Sequence, residues 1–147
     1  MFQRLLCAMD GSEHSLRAAK HAAILAAKFG ATIHFLTVTK EIKVTDEVRR
    51  YLQVEQLAGE PQYVIDEHAQ SIMRQAKKTA TKAGVAKIET LIRTGQPART
   101  IVQVAEEIEA DTIVMGSRGL GDFEGLLLGS VSHKVATLAK CTTITVK

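Results

Sequence analysis

Several residue types that build metal, disulfide and nucleic-acid sites are scarce in this chain of 147 residues. Its two cysteines are too few for a disulfide framework or a cysteine-based zinc site. The five histidines contain no His-x-x-x-His pair, which argues against a histidine metal site. With four phenylalanines, two tyrosines and no tryptophan, the chain offers few platforms for stacking bases. We therefore expect no metal site formed by the protein alone and no nucleic-acid partner.

Long apolar runs and a strong net charge are also absent. No apolar stretch approaches the ~20 residues needed to cross a bilayer. The first ten residues lead directly into a turn and an amphipathic segment, which is not the pattern of a signal peptide. The net charge of +3 is mild, and the basic residues between positions 74 and 82 are typical of a solvated helix face. The sequence predicts a soluble, cytoplasmic protein without a membrane partner.

What the sequence does contain is a regular alternation of strand and helix patterns. The runs predicted as strands are residues 4–9, 32–38, 87–94, 111–115 and 142–146. The helical patterns lie at residues 13–29, 62–83, 97–108 and 130–139. This alternation predicts an α/β fold with a mainly parallel sheet and helices on both faces, in one domain spanning residues 1–147.

Local signals mark several of the element ends. Ser12 suits the N-cap of the first helix, and Gly30 suits its C-terminal end. Pro97 fits the first turn of the third helix, where a missing N–H leaves no bond unmade. The charged, weakly periodic stretch at residues 40–60 predicts a mobile connection with about one helical turn. Two roles are open for this stretch, a lid over a ligand or an arm that binds a partner.

The glycine-rich segment from Gly116 to Ser130 is the strongest functional signal, since it holds five of the ten glycines. It follows the carboxyl end of a predicted strand, the place where open α/β sheets bind ligands. Gly129 and Ser130 open the last helix, whose N-terminus attracts anions, and the hydroxyls of Ser130 and Ser132 are candidate donors. The spacing fits neither a Walker A loop nor a Gly-x-Gly-x-x-Gly fingerprint.

Asp10 directly follows the first strand and has two interpretations. A carboxylate there can accept hydrogen bonds from ribose hydroxyls or an adenine edge. An Asp in an Asp-Gly-Ser sequence is equally typical of a turn. Local sequence does not choose between them.

The spacing of Gly116, Gly119, Gly129 and Ser130 is Gly, two residues, Gly, nine residues, then Gly-Ser. Together with the early Asp-Gly-Ser, this spacing resembles the ATP-binding branch of the universal stress protein family. The resemblance extends over the whole chain apart from the charged connection after the second strand. It implies a doubly wound, five-stranded parallel sheet in the order 3-2-1-4-5.

The resemblance also implies a nucleotide site and a homodimer. The residues implied for the adenosine part are Ala8, Asp10, Val38, Met115 and Gly116. Those implied for the phosphates are Arg118, Gly119, Gly129, Ser130, Val131 and Ser132. The implied cofactor is ATP, with ADP or AMP as alternatives, and with Mg²⁺ or Mn²⁺ held through the nucleotide. The implied homodimer pairs the final strands, Thr142 to Val146.

Two features depart from the family pattern. Asp122 and Glu124 place negative charge inside the phosphate loop, and we expect both to face solvent. The final strand begins with Cys141, Thr142 and Thr143, without the proline that is usual in relatives, so its edge is less protected.

Three functions remain in competition. The first is an ATP-binding regulatory or stress-response module with little or no turnover, because the sequence offers no activated nucleophile and no paired general base. The second is a weak ATP hydrolase or an enzyme of phosphoryl or adenylyl transfer. The third is a dimeric scaffold that works without nucleotide.

Overall fold

The computed structural model describes residues 1–41, 45–54, 61–121 and 128–147. The strands are β1 (Arg4–Ala8), β2 (Thr32–Thr39), β3 (Lys87–Thr94), β4 (Thr112–Gly116) and β5 (Thr142–Val146). The helices are α1 (Glu13–Phe29), α2 (Asp46–Val54), α3 (Pro61–Lys82), α4 (Pro97–Glu107) and α5 (Ser130–Leu138). All strand pairs are parallel and the sheet order is β3-β2-β1-β4-β5, which confirms the predicted fold class.

The middle residues of β1 and β4 are apolar because helices cover both faces of the sheet there. Successive side chains of a strand point to opposite faces. Leu5 and Cys7 therefore join the apolar cluster that includes α1 and α3, whereas Leu6 joins the cluster that includes α4 and α5. Burial raises the pKa of the Cys7 thiol, so this cysteine is an unreactive core residue.

The predicted caps of α1 are confirmed. The Ser12 hydroxyl accepts a hydrogen bond from the Ser15 N–H, and Gly30 ends the helix with φ of 63°. Pro97 occupies the first turn of α4 as predicted, after Gln96 as the N-cap residue.

Within residues 40–60 the helix is longer than the one turn expected, because α2 has nine residues. Asp46 and Glu47 lie in its first turn, where negative charge favours the helix dipole. The Thr45 hydroxyl accepts a hydrogen bond from the Val48 N–H at 3.3 Å and so caps the helix. The rest of that call, on residues 42–44 and 55–60, lies outside the described residues.

The order of the strands creates one place at the edge of the sheet that is suited to a ligand. The chain passes from β1 outward to β2 and β3, then returns to the other side of β1 to form β4 and β5. The carboxyl ends of β1 and β4 therefore border a crevice that no crossover fills, and ligands of open α/β sheets bind in such crevices.

Gly116 ends β4 at this crevice, and its lack of a side chain serves packing rather than an unusual backbone conformation. A Cβ atom at this position would lie 2.7 Å from His14 Cβ and 2.8 Å from the His14 carbonyl carbon. Since real Cβ contacts are not that short, only glycine lets the start of α1 pack on the end of β4.

We expect Gly116→Ala to lower the free energy of unfolding by about 1–3 kcal/mol, the usual cost of inserting a methyl group where no space exists. Urea unfolding measures the change. Gly121→Ala is the matched control, because a Cβ there meets no atom within 4 Å. Equal stability of the two variants would show that α1 is free to move away from β4.

Candidate functional site

A cavity of about 140 Å³ lies in the crevice beyond the carboxyl ends of β1 and β4. Nine of the eleven residues predicted for a nucleotide line it, namely Ala8, Asp10, Val38, Met115, Gly116, Arg118, Gly119, Val131 and Ser132. Ser130 lines an adjoining cavity instead, and the buried Gly129 lines neither of them. The structure thus brings most of the predicted set together, and their role in binding stays a prediction.

The walls include residues that the sequence analysis missed. These are Met9, Ser15, Leu36, Pro97 and Ile101. A signal existed for three of them. Leu36 shares the face of β2 with Val38, because the two lie two positions apart, and Ile101 follows Pro97 by one turn of helix. What periodicity did not reveal is that α4 leans over this end of the sheet.

The size of the cavity limits what it encloses. A cavity of about 150 Å³ in another protein holds one benzene molecule, so this one suits a flat ring and not a whole nucleotide. Its apolar wall includes Leu36, Ile101 and Met115, which belong to the cluster that packs α4 and α5. A ligand with a planar apolar part would place that part here, with the remainder outside.

Asp10 forms the turn that one of its two interpretations predicted. Its Oδ1 accepts a hydrogen bond from the Ser12 N–H at 2.9 Å, and its Oδ2 accepts one from the Leu120 N–H at 3.2 Å. The carboxylate therefore ties the end of β1 to the glycine-rich loop. Because a carboxylate has about four lone-pair sites, it retains acceptor capacity toward a ligand in the cavity.

Ser117 is the residue that joins the parts of the site, and the sequence analysis did not single it out. Its N–H donates to the Val146 carbonyl at 2.7 Å, and its carbonyl accepts from the Gly129 N–H. The same carbonyl accepts from the Ser132 hydroxyl at 2.8 Å, and the Ser117 hydroxyl lies 3.0 Å from His14 Nδ1. With 2% of its surface exposed, Ser117 fixes both ends of the glycine-rich loop from within.

A serine bonded to a histidine is also the arrangement of a nucleophile and its base. Burial argues against that role here, since a substrate cannot reach the Ser117 hydroxyl at 2% exposure. Within the described ranges, no three His, Cys, Asp or Glu residues are grouped closely enough to hold a metal ion.

The Ser132 hydroxyl, predicted as a donor to a ligand, is hydrogen-bonded within the protein, and its contact with a ligand stays a prediction. This hydroxyl donates to the carbonyls of Ser117 and Gly129, at 2.8 and 3.1 Å. Ser132 is 4% exposed, so its only hydroxyl hydrogen serves the loop closure. Gly129 is the N-cap residue of α5, and Ser130 begins the helix with an exposed side chain. Asp122 and Glu124 lie outside the described residues.

The fold and the crevice define a doubly wound α/β protein with its site at the switch point of the sheet. The chain belongs to the universal stress protein family, whose pattern it matches over residues 1–147. Universal stress protein YxiE of Bacillus subtilis is 34% identical over 154 aligned residues, which cover 100% of both chains.

Solved structures of universal stress proteins are also similar to this chain. A universal stress protein in complex with cAMP is 30% identical, with a TM-score of 0.73 over 99% of this chain and 96% of that one. UspA from Lactobacillus plantarum is 24% identical, and its TM-score of 0.83 over 99% of this chain and 98% of that one shows the shared fold. Every helix within the described ranges is too short or too polar to cross a bilayer.

We expect Ser132→Ala to lower the free energy of unfolding by about 0.5–1.5 kcal/mol, because it removes the hydroxyl bond to two carbonyls that keep the N–H donors of Gly129 and His133. Thermal or urea unfolding measures this change. Ser71→Ala on the exposed face of α3 is the matched control and should be neutral. If Ser132→Ala proved as stable as the control, its hydroxyl would be available to a ligand after all.

Proposed function

We propose that this chain binds an adenine nucleotide, ATP in the first instance, in the crevice beyond β1 and β4. The observation that supports this most directly is the cavity itself, whose lining combines apolar side chains with Asp10, Arg118 and Gly119. A relative of 30% identity was crystallised with cAMP, which supports an adenine nucleotide as the ligand class.

The adenine ring would occupy the apolar part of the cavity. Ala8, Val38 and Met115 line the cavity, and a flat ring would bury the surface that they expose there. The cavity volume of about 140 Å³ suits one ring system. The backbone of Val38 would meet the adenine edge. The remaining acceptor capacity of Asp10 is available to ribose hydroxyls.

The phosphates would lie toward the start of α5. Arg118 brings positive charge to the cavity lining, and the N-terminal end of α5 adds its dipole. Gly119 and Val131 border the same opening, and Ser130 borders the adjoining one. The glycine spacing of the ATP-binding branch supports a triphosphate, with Mg²⁺ or Mn²⁺ bound through it.

The biological role that follows is regulation with little or no turnover, in a cytoplasmic stress response. The buried Ser117 cannot act as a nucleophile, and the described part of the cavity lining holds no pair of carboxylate and histidine in contact. Binding would change the loop that Ser117 and Asp10 tie to the sheet, and a partner would detect that change.

The chain would act as a homodimer through β5. This strand is the edge of the sheet and pairs only with β4 among the described strands. Its unpaired backbone groups suit a second copy of the same strand. Light scattering of the purified chain should give twice the mass of one chain, and a monomer at micromolar concentration would exclude this assembly.

Calorimetric titration of nucleotide-free protein with Mg-ATP tests the proposed function. We expect saturable binding at one site per chain. Val38→Phe should weaken it at least about tenfold, because a larger ring fills the adenine space without altering the loop. Gly129→Val should abolish it by distorting the start of α5, whereas Gly121→Val, in open space, should leave it unchanged.

The other outcomes favour the competing functions. No binding and an unchanged melting temperature at millimolar ATP would contradict the proposal and favour a scaffold, since a ligand of the folded state must stabilise it. Steady formation of ADP, AMP or an adenylylated product over many turnovers would favour an enzyme instead.

A further inference from the structure

His14, the second residue of α1, bridges two residues of the loop that follows β4. Its Nδ1 lies 3.0 Å from the Ser117 hydroxyl oxygen, and its Nε2 lies 3.3 Å from Nη2 of Arg118. Both partners are more than 100 positions away along the chain. The contacts therefore exist only because the sheet brings the ends of β1 and β4 together.

The partner on Nε2 determines where the ring proton lies. A guanidinium group has hydrogens to donate and no acceptor, so Nε2 must accept from Arg118. A neutral imidazole that accepts at Nε2 carries its proton on Nδ1 and donates from there to the Ser117 hydroxyl oxygen. An imidazolium ring, with donors on both nitrogens, would lose the Arg118 contact.

The histidine is itself held in place on two sides. Its Cβ lies in the space that a side chain at residue 116 would need, so the end of β4 limits movement of the α1 backbone. The Ser117 hydroxyl oxygen accepts the hydrogen bond from Nδ1–H. Ser117 is itself fixed by the Val146 carbonyl and by the start of α5. His14 thus connects a rigid, buried anchor to the Arg118 side chain.

We propose that His14 is a positioning residue that holds Arg118 at the phosphate end of the nucleotide site. The inference rests on the proposed function and identifies what orders its cationic group. A free arginine side chain has several rotatable bonds, and ordering it on binding weakens affinity. An arginine that His14 already holds loses less conformational entropy when it binds the phosphates.

The test is a double-mutant cycle read with two ligands, Mg-ATP and adenosine. We expect His14→Ala and Arg118→Ala each to weaken Mg-ATP binding about tenfold, and the double variant to bind no more weakly than Arg118→Ala alone. Adenosine affinity should change less than about twofold, since adenosine has no phosphate. His21→Ala, an exposed histidine on the same helix, is the matched control.

Rescue by a conservative variant separates positioning from a structural role. His14→Gln retains an oxygen acceptor at about the reach of Nε2 and should restore Mg-ATP affinity to within about threefold of the unaltered protein. Nitrogen NMR of the ligand-free protein should show the His14 ring proton on Nδ1, and Arg118→Ala should shift the Nε2 resonance.

The possible failures are distinguishable. Additive losses in the double variant, equal losses for adenosine, or a proton on Nε2 would overturn the positioning role while Mg-ATP still binds. No Mg-ATP binding by the unaltered protein would overturn the proposed function, and the inference with it.

Discussion

The interaction on which the rest of the site depends is the set of hydrogen bonds around Ser117. One buried residue satisfies the end of β5, the start of α5 and a histidine of α1 at the same time. Buried polar groups of this kind are costly to leave unpaired. The ends of β4 and β5 and the starts of α1 and α5 must therefore come together at Ser117. The bond from the Gly129 N–H to the Ser117 carbonyl holds the two ends of the glycine-rich loop together.

The same constraint explains how one crevice gains both an apolar and a polar side. β1 and β4 bring Ala8 and Met115 side by side, and α4 closes the apolar wall over them. Asp10 ties the loop to β1, while His14 ties Arg118 to α1. Solved structures of the universal stress protein family share the fold, and the proposed nucleotide would contact each of these elements.

Element order and most element ends were predictable because their signals are local. Gly30 and Ser12 act on the helix that they border, and β3 and β5 have the bounds that alternation predicted. α2 was underestimated because its apolar residues, such as Val48 and Tyr51, are exposed and gave no sign of a buried face. Gly116 lines the cavity, its contact with a ligand stays a prediction, and only the structure shows that the close approach of α1 also requires glycine there.

The sequence by itself determined the alternation of strands and helices, the parallel sheet and the position of the glycine-rich loop, since each follows from periodicity and turn chemistry within a few residues. Only the tertiary structure decided that Ser132 closes the loop, that Ile101 completes the cavity and that His14 contacts Arg118. The physical reason is distance along the chain. Hydrogen bonds and packing act over a few ångströms in space, and residues 14 and 117 become neighbours only after the sheet has formed.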